Sequence, residues 1–276
     1  MKLVNKWLLL ALAYSWPSVA PAQLQLLSNL EPQEVFAGDA RTITVVWRNV
    51  GNKPFMAEIH VRVFQTTSAT AIQLGESLWK KLQVLPEQTI LESAQLNFPA
   101  LKAETKFLVQ WLENSNYVLG TTTVLVYPTN LLAELKPLAE NQSLGVFDPQ
   151  NQLKPLLKKT GVDFVDLGNS ELEHFPGKLA ILGPFSSKAQ IPEGQAHRIK
   201  MLAKEGVAVV WLLPPDADEQ LQPSFYLVPE GLAVVVVAQN ALVADLPTNP
   251  KSQWNLLRLC ELALHPRFLT LPDLCS

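Results

Sequence analysis

Apolar and polar positions alternate with a period of two through most of Gln23 to Tyr127. Residues 42–49 (TITVVWRN) read as one strand. Residues 57–64 alternate too, with Ile59, Val61 and Val63 on one side and Glu58, His60 and Arg62 on the other. Further strands are expected over 77–85, 90–98, 106–113 and 118–127. Turn residues separate them at Ala37-Gly38-Asp39, at Asn49 to Pro54 and at Asn114-Ser115-Asn116. Strands recurring about every 8–12 residues with such punctuation predict an antiparallel β-sandwich. Trp47 and Trp111 are placed to fill its core.

After Tyr127-Pro128-Thr129-Asn130 the period changes, and short apolar runs alternate with helical segments. Strands are expected at 144–147, 162–167, 179–182, 207–213 and 232–237. Helices are expected over 131–139, interrupted or ended near Pro137, over 152–159 before Gly161, over 192–205 before Gly206, and from Pro250 to about Leu264. Thr248-Asn249-Pro250 supplies a capping side chain followed by proline at the first helical position. Strand-helix alternation with continuously apolar strands predicts a doubly wound parallel sheet covered on both faces. The fold class expected is therefore α+β with two domains, residues 23–128 and 129–276.

Residues 1–22 have their own logic. Lys2 and Lys6 precede an apolar run from Trp7 to Ala13, and Ala20-Pro21-Ala22 is a small-x-small cleavage signal. A signal peptide cut after Ala22 is expected, with the protein periplasmic or secreted. The apolar run is shorter than the roughly 20 residues that span a bilayer, and no later segment is long enough. No transmembrane segment is expected after cleavage.

Composition narrows the function. The 276 residues carry a net charge of -3, which argues against a nucleic-acid binder with a broad basic face. Two cysteines exclude a four-cysteine zinc site, and the four histidines are scattered, so no metal and no cofactor is expected. Cys260 and Cys275 are candidates for a structural disulfide in an oxidising compartment.

In a doubly wound domain ligands sit at the carboxyl ends of the strands. The candidates there are Asp148, Asp166, Asn169, Ser186, Asp216 and Asn240. Such residue types also cap and turn the chain wherever loops occur. The stretch after the first strand, Phe147 to Asn151, lacks the glycines of a dinucleotide or phosphate loop. No G-x-S-x-G elbow surrounds Ser186. Asp163 and Asp166 could hold a cation, or form a solvated strand edge. Trp79, Trp111, Tyr117 and Phe55 could make a stacking platform in the first half, although alternation turns about half of them inward.

Two resemblances add to this. Leu179-Ala-Ile-Leu-Gly183-Pro184 and Met201-Leu-Ala-Lys-Glu-Gly206-Val-Ala-Val-Val-Trp211 resemble the class I glutamine amidotransferase-like (flavodoxin-like) domain appended to secreted bacterial proteins. Working members carry a nucleophilic cysteine after the third strand, with a later histidine and glutamate. This chain has Gly183-Pro184-Phe185-Ser186 there, so the resemblance implies the fold without the activity. Val35-Phe-Ala-Gly38-Asp39 and Val45-Val-Trp47-Arg-Asn49-Val-Gly51 resemble Ig-like domains of bacterial surface and periplasmic proteins. The expected function is a non-catalytic binding or assembly protein of the cell envelope, with an unknown protein or glycan partner. The alternative is a hydrolase acting on glycans or peptides, with its site at the strand ends.

Overall fold

The computed structural model describes residues 23–27, 31–168, 175–217 and 224–266. The alternating segments of the first half form β1 (Leu24–Leu27), β2 (Gln33–Phe36), β3 (Gly38–Asn49), β4 (Phe55–Thr66), β5 (Ala71–Val84), β6 (Thr89–Phe98), β7 (Thr105–Glu113) and β8 (Tyr117–Tyr127). They build two sheets, in the orders β1-β3-β6 and β2-β8-β7-β4-β5. Period-two alternation sends Ile43, Val45 and Trp47 of β3 into one core with Val61 of β4 and Val109 and Trp111 of β7. Trp47 and Trp111 are fully buried and meet edge to face with ring centroids 5.8 Å apart. The Trp111 indole N–H donates to Thr122 Oγ1 at 2.9 Å, so this buried ring keeps a polar partner.

The expected antiparallel Ig-like sandwich is not what forms. β2 runs parallel to β8, which makes the five-stranded sheet mixed. The chain changes sheets between β2 and β3, across Ala37 and Gly38. Gly38 sits at φ +118, where a residue with a Cβ is strained. A four-residue strand ahead of such a switch carries too little alternation to reveal which neighbour it will take.

The second half contains β9 (Leu144–Phe147), β10 (Phe164–Asp166), β11 (Leu179–Leu182), β12 (Ala208–Leu213), β13 (Phe225–Glu230) and β14 (Ala233–Gln239), in the order β10-β9-β11-β12-β14-β13. The helices are α1 (Leu135–Leu138), α2 (Leu153–Thr160), α3 (Gln195–Lys204) and α4 (Pro250–Leu264). α2 and α4 cover one face through Leu153, Leu157, Leu256 and Leu259. α3 covers the other through Ile199, Leu202 and Ala203.

The expected doubly wound parallel domain needs correction here. The sheet is mixed, because β13 pairs antiparallel with β14 along the sheet edge. Pro229 within β13 has no N–H to donate and is tolerated because the strand is at the edge. Residues 131–139 also depart from the single helix expected. They form a 3-10 turn at Leu131–Glu134 followed by the four-residue α1.

The two halves touch through apolar and charged groups. Tyr127, Leu131, Leu132 and Leu135 join the core under α4, and Phe36 and Leu125 pack against it. Lys251 of α4 lies 3.6 Å from the Glu34 carboxylate of β2. Among the described residues no helix is long and apolar enough to cross a membrane.

Candidate functional site

β9 leads through α2 to β10 on one side, whereas β11 lies on the other side of β9. In open α/β sheets such a reversal of strand order leaves a crevice outside the carboxyl ends, where ligands bind. A groove of about 550 Å3 opens beside it, lined by Gln150 and Gln152 after β9, Pro184 and Ser186 after β11, and Asn240 and Asp245 after β14. Of the residues singled out from sequence, Ser186 and Asn240 meet here.

Asp148 is buried at the end of β9 and acts as a cap. Its Oδ2 accepts the backbone N–H groups of Leu153 at 2.7 Å and Lys154 at 2.9 Å. This places a carboxylate on the positive end of α2 and satisfies two N–H groups that the helix cannot. Its Oδ1 is buried without a hydrogen-bond partner. Asp166 takes the Lys154 ammonium at 2.7 Å and the Gly168 N–H at 3.0 Å. Partial burial works against ionisation of Asp166. The Lys154 and Gly168 hydrogen bonds and the charge of Lys154 outweigh it and hold the carboxyl below its usual range.

Ser186 donates both its N–H, at 3.0 Å, and its hydroxyl, at 2.8 Å, to Gln190 Oε1. Phe185 beside it is fully buried and packs on Phe147 with centroids 5.9 Å apart. Asn240 Nδ2 donates to the Phe185 carbonyl at 2.6 Å, tying the end of β14 to the end of β11. Asp216 is exposed in the turn after β12 and is not part of the groove lining. Asn169 lies outside the described residues. No histidine lines the groove, and the Ser186 hydroxyl is bonded to an amide oxygen, which is too weak a base to take its proton. Among the described residues no three His, Cys, Asp or Glu side chains converge to hold a metal ion.

Cys260 is a free thiol, fully buried in the α4 core, and burial pushes its pKa up. Its expected disulfide partner, Cys275, lies outside the described residues. In the first half, Trp111 and Phe55 are core residues and Tyr117 is exposed, so no shared aromatic platform forms from the four considered.

Sequence reasoning missed Gln150, Gln152 and Asp245, and with them the device that holds the groove wall. Ser252 Oγ donates to the Ala244 carbonyl at 2.5 Å, Gln253 Nε2 to Leu246 at 2.8 Å and Asn255 Nδ2 to Leu242 at 2.8 Å. All three side chains are buried. Asn249 Oδ1 caps α4 by accepting from Lys251 and Ser252. A signal was present, because Ser252, Gln253 and Asn255 cluster in the first turns of a helix whose later part, Leu256 to Leu264, is mostly apolar and must be buried.

No protein-family model matches the chain, and no characterised protein matches it in sequence. Solved structures give partial likenesses. An alkylpurine DNA glycosylase from Pseudomonas fluorescens is 10% identical at TM-score 0.30, with 39% of this chain and 31% of that one covered. The Bacillus subtilis sporulation control protein Spo0M is 10% identical at TM-score 0.30, covering 43% and 55%. A Listeria innocua β-glucosidase is 16% identical at TM-score 0.27, covering 38% and 16%. The chain thus spans well under two thirds of each, and likenesses of this strength carry no argument about fold or function.

Proposed function

We propose that this chain is a non-catalytic exported binding or assembly protein of the cell envelope, periplasmic or secreted, with the strand-end groove as its ligand site and a protein or glycan as its partner. The observation that supports this most is the commitment of the reactive groups. The Ser186 hydroxyl is taken by Gln190, and Asp148 is taken by the start of α2. A hydrolase needs a nucleophile beside a base that can accept its proton, and the partner of the Ser186 hydroxyl is an amide oxygen, too weak a base for that role. What it offers is amide, hydroxyl and carboxylate groups on fixed backbone, which suits recognition. Export rests on the basic-apolar-small order of residues 1–22.

The test has two arms. The N-terminus of the protein recovered from an envelope or secreted fraction is expected to begin at Gln23, and intact Met1 in a cytosolic fraction would contradict export. The purified protein is expected to show no glutaminase, esterase or glycosidase turnover. Turnover that disappears in Ser186→Ala would overturn the non-enzyme reading.

A further inference from the structure

We infer that the strand-end groove takes a neutral polyhydroxylated ligand, a saccharide, and rejects phosphorylated and other anionic ones. The inference rests on the proposed binding role and deepens it.

Several polar atoms of the groove lining have no partner that uses them up. Gln152 Nε2 donates to Gln150 Oε1 at 2.7 Å, so this pair leaves one amide NH2 and one amide carbonyl unused. Asn240 uses one N–H of its NH2 on the Phe185 carbonyl, which leaves the other N–H and its own carbonyl. Asp245, exposed in the lining, adds a carboxylate. The free set thus combines acceptors, one of them a carboxylate, with amide N–H donors from Gln150, Gln152 and Asn240. A sugar hydroxyl both donates and accepts, so it satisfies acceptors and donors alike. A phosphate or carboxylate group brings mainly acceptors and a negative charge that would lie beside the Asp245 carboxylate with no cation in the lining.

The features that bind anions elsewhere are used up or turned away. No lysine or arginine lines the groove. The first N–H groups of α2, the position where α/β sheets commonly seat a phosphate, already hold the Asp148 carboxylate. The ammonium of Lys154 is held by Asp166. Ala241, Ala244 and Pro247, all exposed in the lining, supply apolar surface for the C–H face of a sugar ring. A volume of about 550 Å3 falls among small-molecule sites, which run from about 300 to 1,000 Å3.

The experiment is a titration of the isotope-labelled full chain, followed by backbone amide shifts. The probes are cellobiose, maltose, N,N′-diacetylchitobiose and inorganic phosphate. At about 10 mM a site with a Kd of 1 mM is about nine-tenths filled. At least one disaccharide is expected to shift the amides around Gln152, Ser186 and Asp245. Its affinity is expected to fall at least about tenfold in Asp245→Ala, the loss of roughly 1.4 kcal/mol or more. Both Gln152 and Asp245 are exposed, so Gln152→Ala serves as a second variant that leaves the core intact. Phosphate is expected to shift none of these amides. If all three disaccharides leave the groove unshifted, or if phosphate binds there, the inference fails. In the phosphate case the binding role itself survives, whereas Ser186-dependent turnover would remove that role.

Discussion

Replacing Asp148 with alanine separates a structural carboxylate from a chemical one. In the native chain its Oδ2 receives two backbone N–H groups, from Leu153 at 2.7 Å and Lys154 at 2.9 Å. Removing a capping side chain costs about 0.5–2 kcal/mol. Here the cap is charged and buried, and the Leu153 N–H would be left buried without an acceptor, at about 1–3 kcal/mol. These figures describe overlapping parts of one interaction and do not add. Relief comes from losing a buried oxygen, Oδ1, that has no partner. The expected net loss is about 2 kcal/mol for Asp148→Ala. Asp148→Asn keeps an acceptor without the charge, and about 1 kcal/mol is expected. Urea denaturation of the full chain, followed by far-UV circular dichroism, measures both. In the melting temperature the alanine variant is expected to lose about 4–8 °C. A loss under about 0.5 kcal/mol would refute the capping account. A variant of unchanged stability that no longer binds ligand would show that Asp148 serves the groove directly.

Two further substitutions probe other parts of the molecule. Glu34 has its pKa raised from 4.5, chiefly by burial, with Glu104 and Glu31 adding to the effect and Lys251 opposing it. The folded state therefore holds the Glu34 proton more tightly than the unfolded state. Its stabilising contribution is present below about 4.5 and is lost as pH rises through the raised value. In Glu34→Gln this loss should vanish, so the melting temperature relative to the native chain should climb between about pH 4 and 7. A difference that stays constant with pH would contradict the assignment. Gly183→Ala should destabilise by roughly 2–4 kcal/mol. Gly183 has φ +105, and an added Cβ would stand 2.5 Å from the Leu212 carbonyl oxygen. An alanine variant with an unchanged urea midpoint would rule out that close approach.

Long periodic segments were legible in the sequence. The alternation of residues 57–64 is the middle of β4, and the apolar run 179–182 is β11. The Asn249-Pro250 start of α4 is where the helix begins. What escaped was the choice of neighbour. β2 takes β8 in parallel although β3 follows it in sequence, and β13 turns back antiparallel on β14. Such pairings depend on which edge is open once the rest has packed, and four to six residues do not encode that locally. The site was legible by halves. Ser186 and Asn240 were placed by the rule that loops at strand ends gather, but the chain distance from Gln150 to Asp245 hid their shared groove. Asp148 and Asp166 were visible as polar residues at strand ends. That each is bound by backbone N–H groups, and Asp166 also by a lysine, depends on helix placement.

α4 serves two surfaces at once. Its buried Ser252, Gln253 and Asn255 hold the wall of the groove, while Lys251 on the same turn reaches Glu34 across the boundary between the halves. The groove wall and the boundary are therefore hung from one beam. A substitution that tilts the first half on α4 is expected to move the carbonyls of Leu242, Ala244 and Leu246, and with them the groove wall. For mutagenesis, this means that affinity measured at the groove also reports on how firmly the β-rich half is seated.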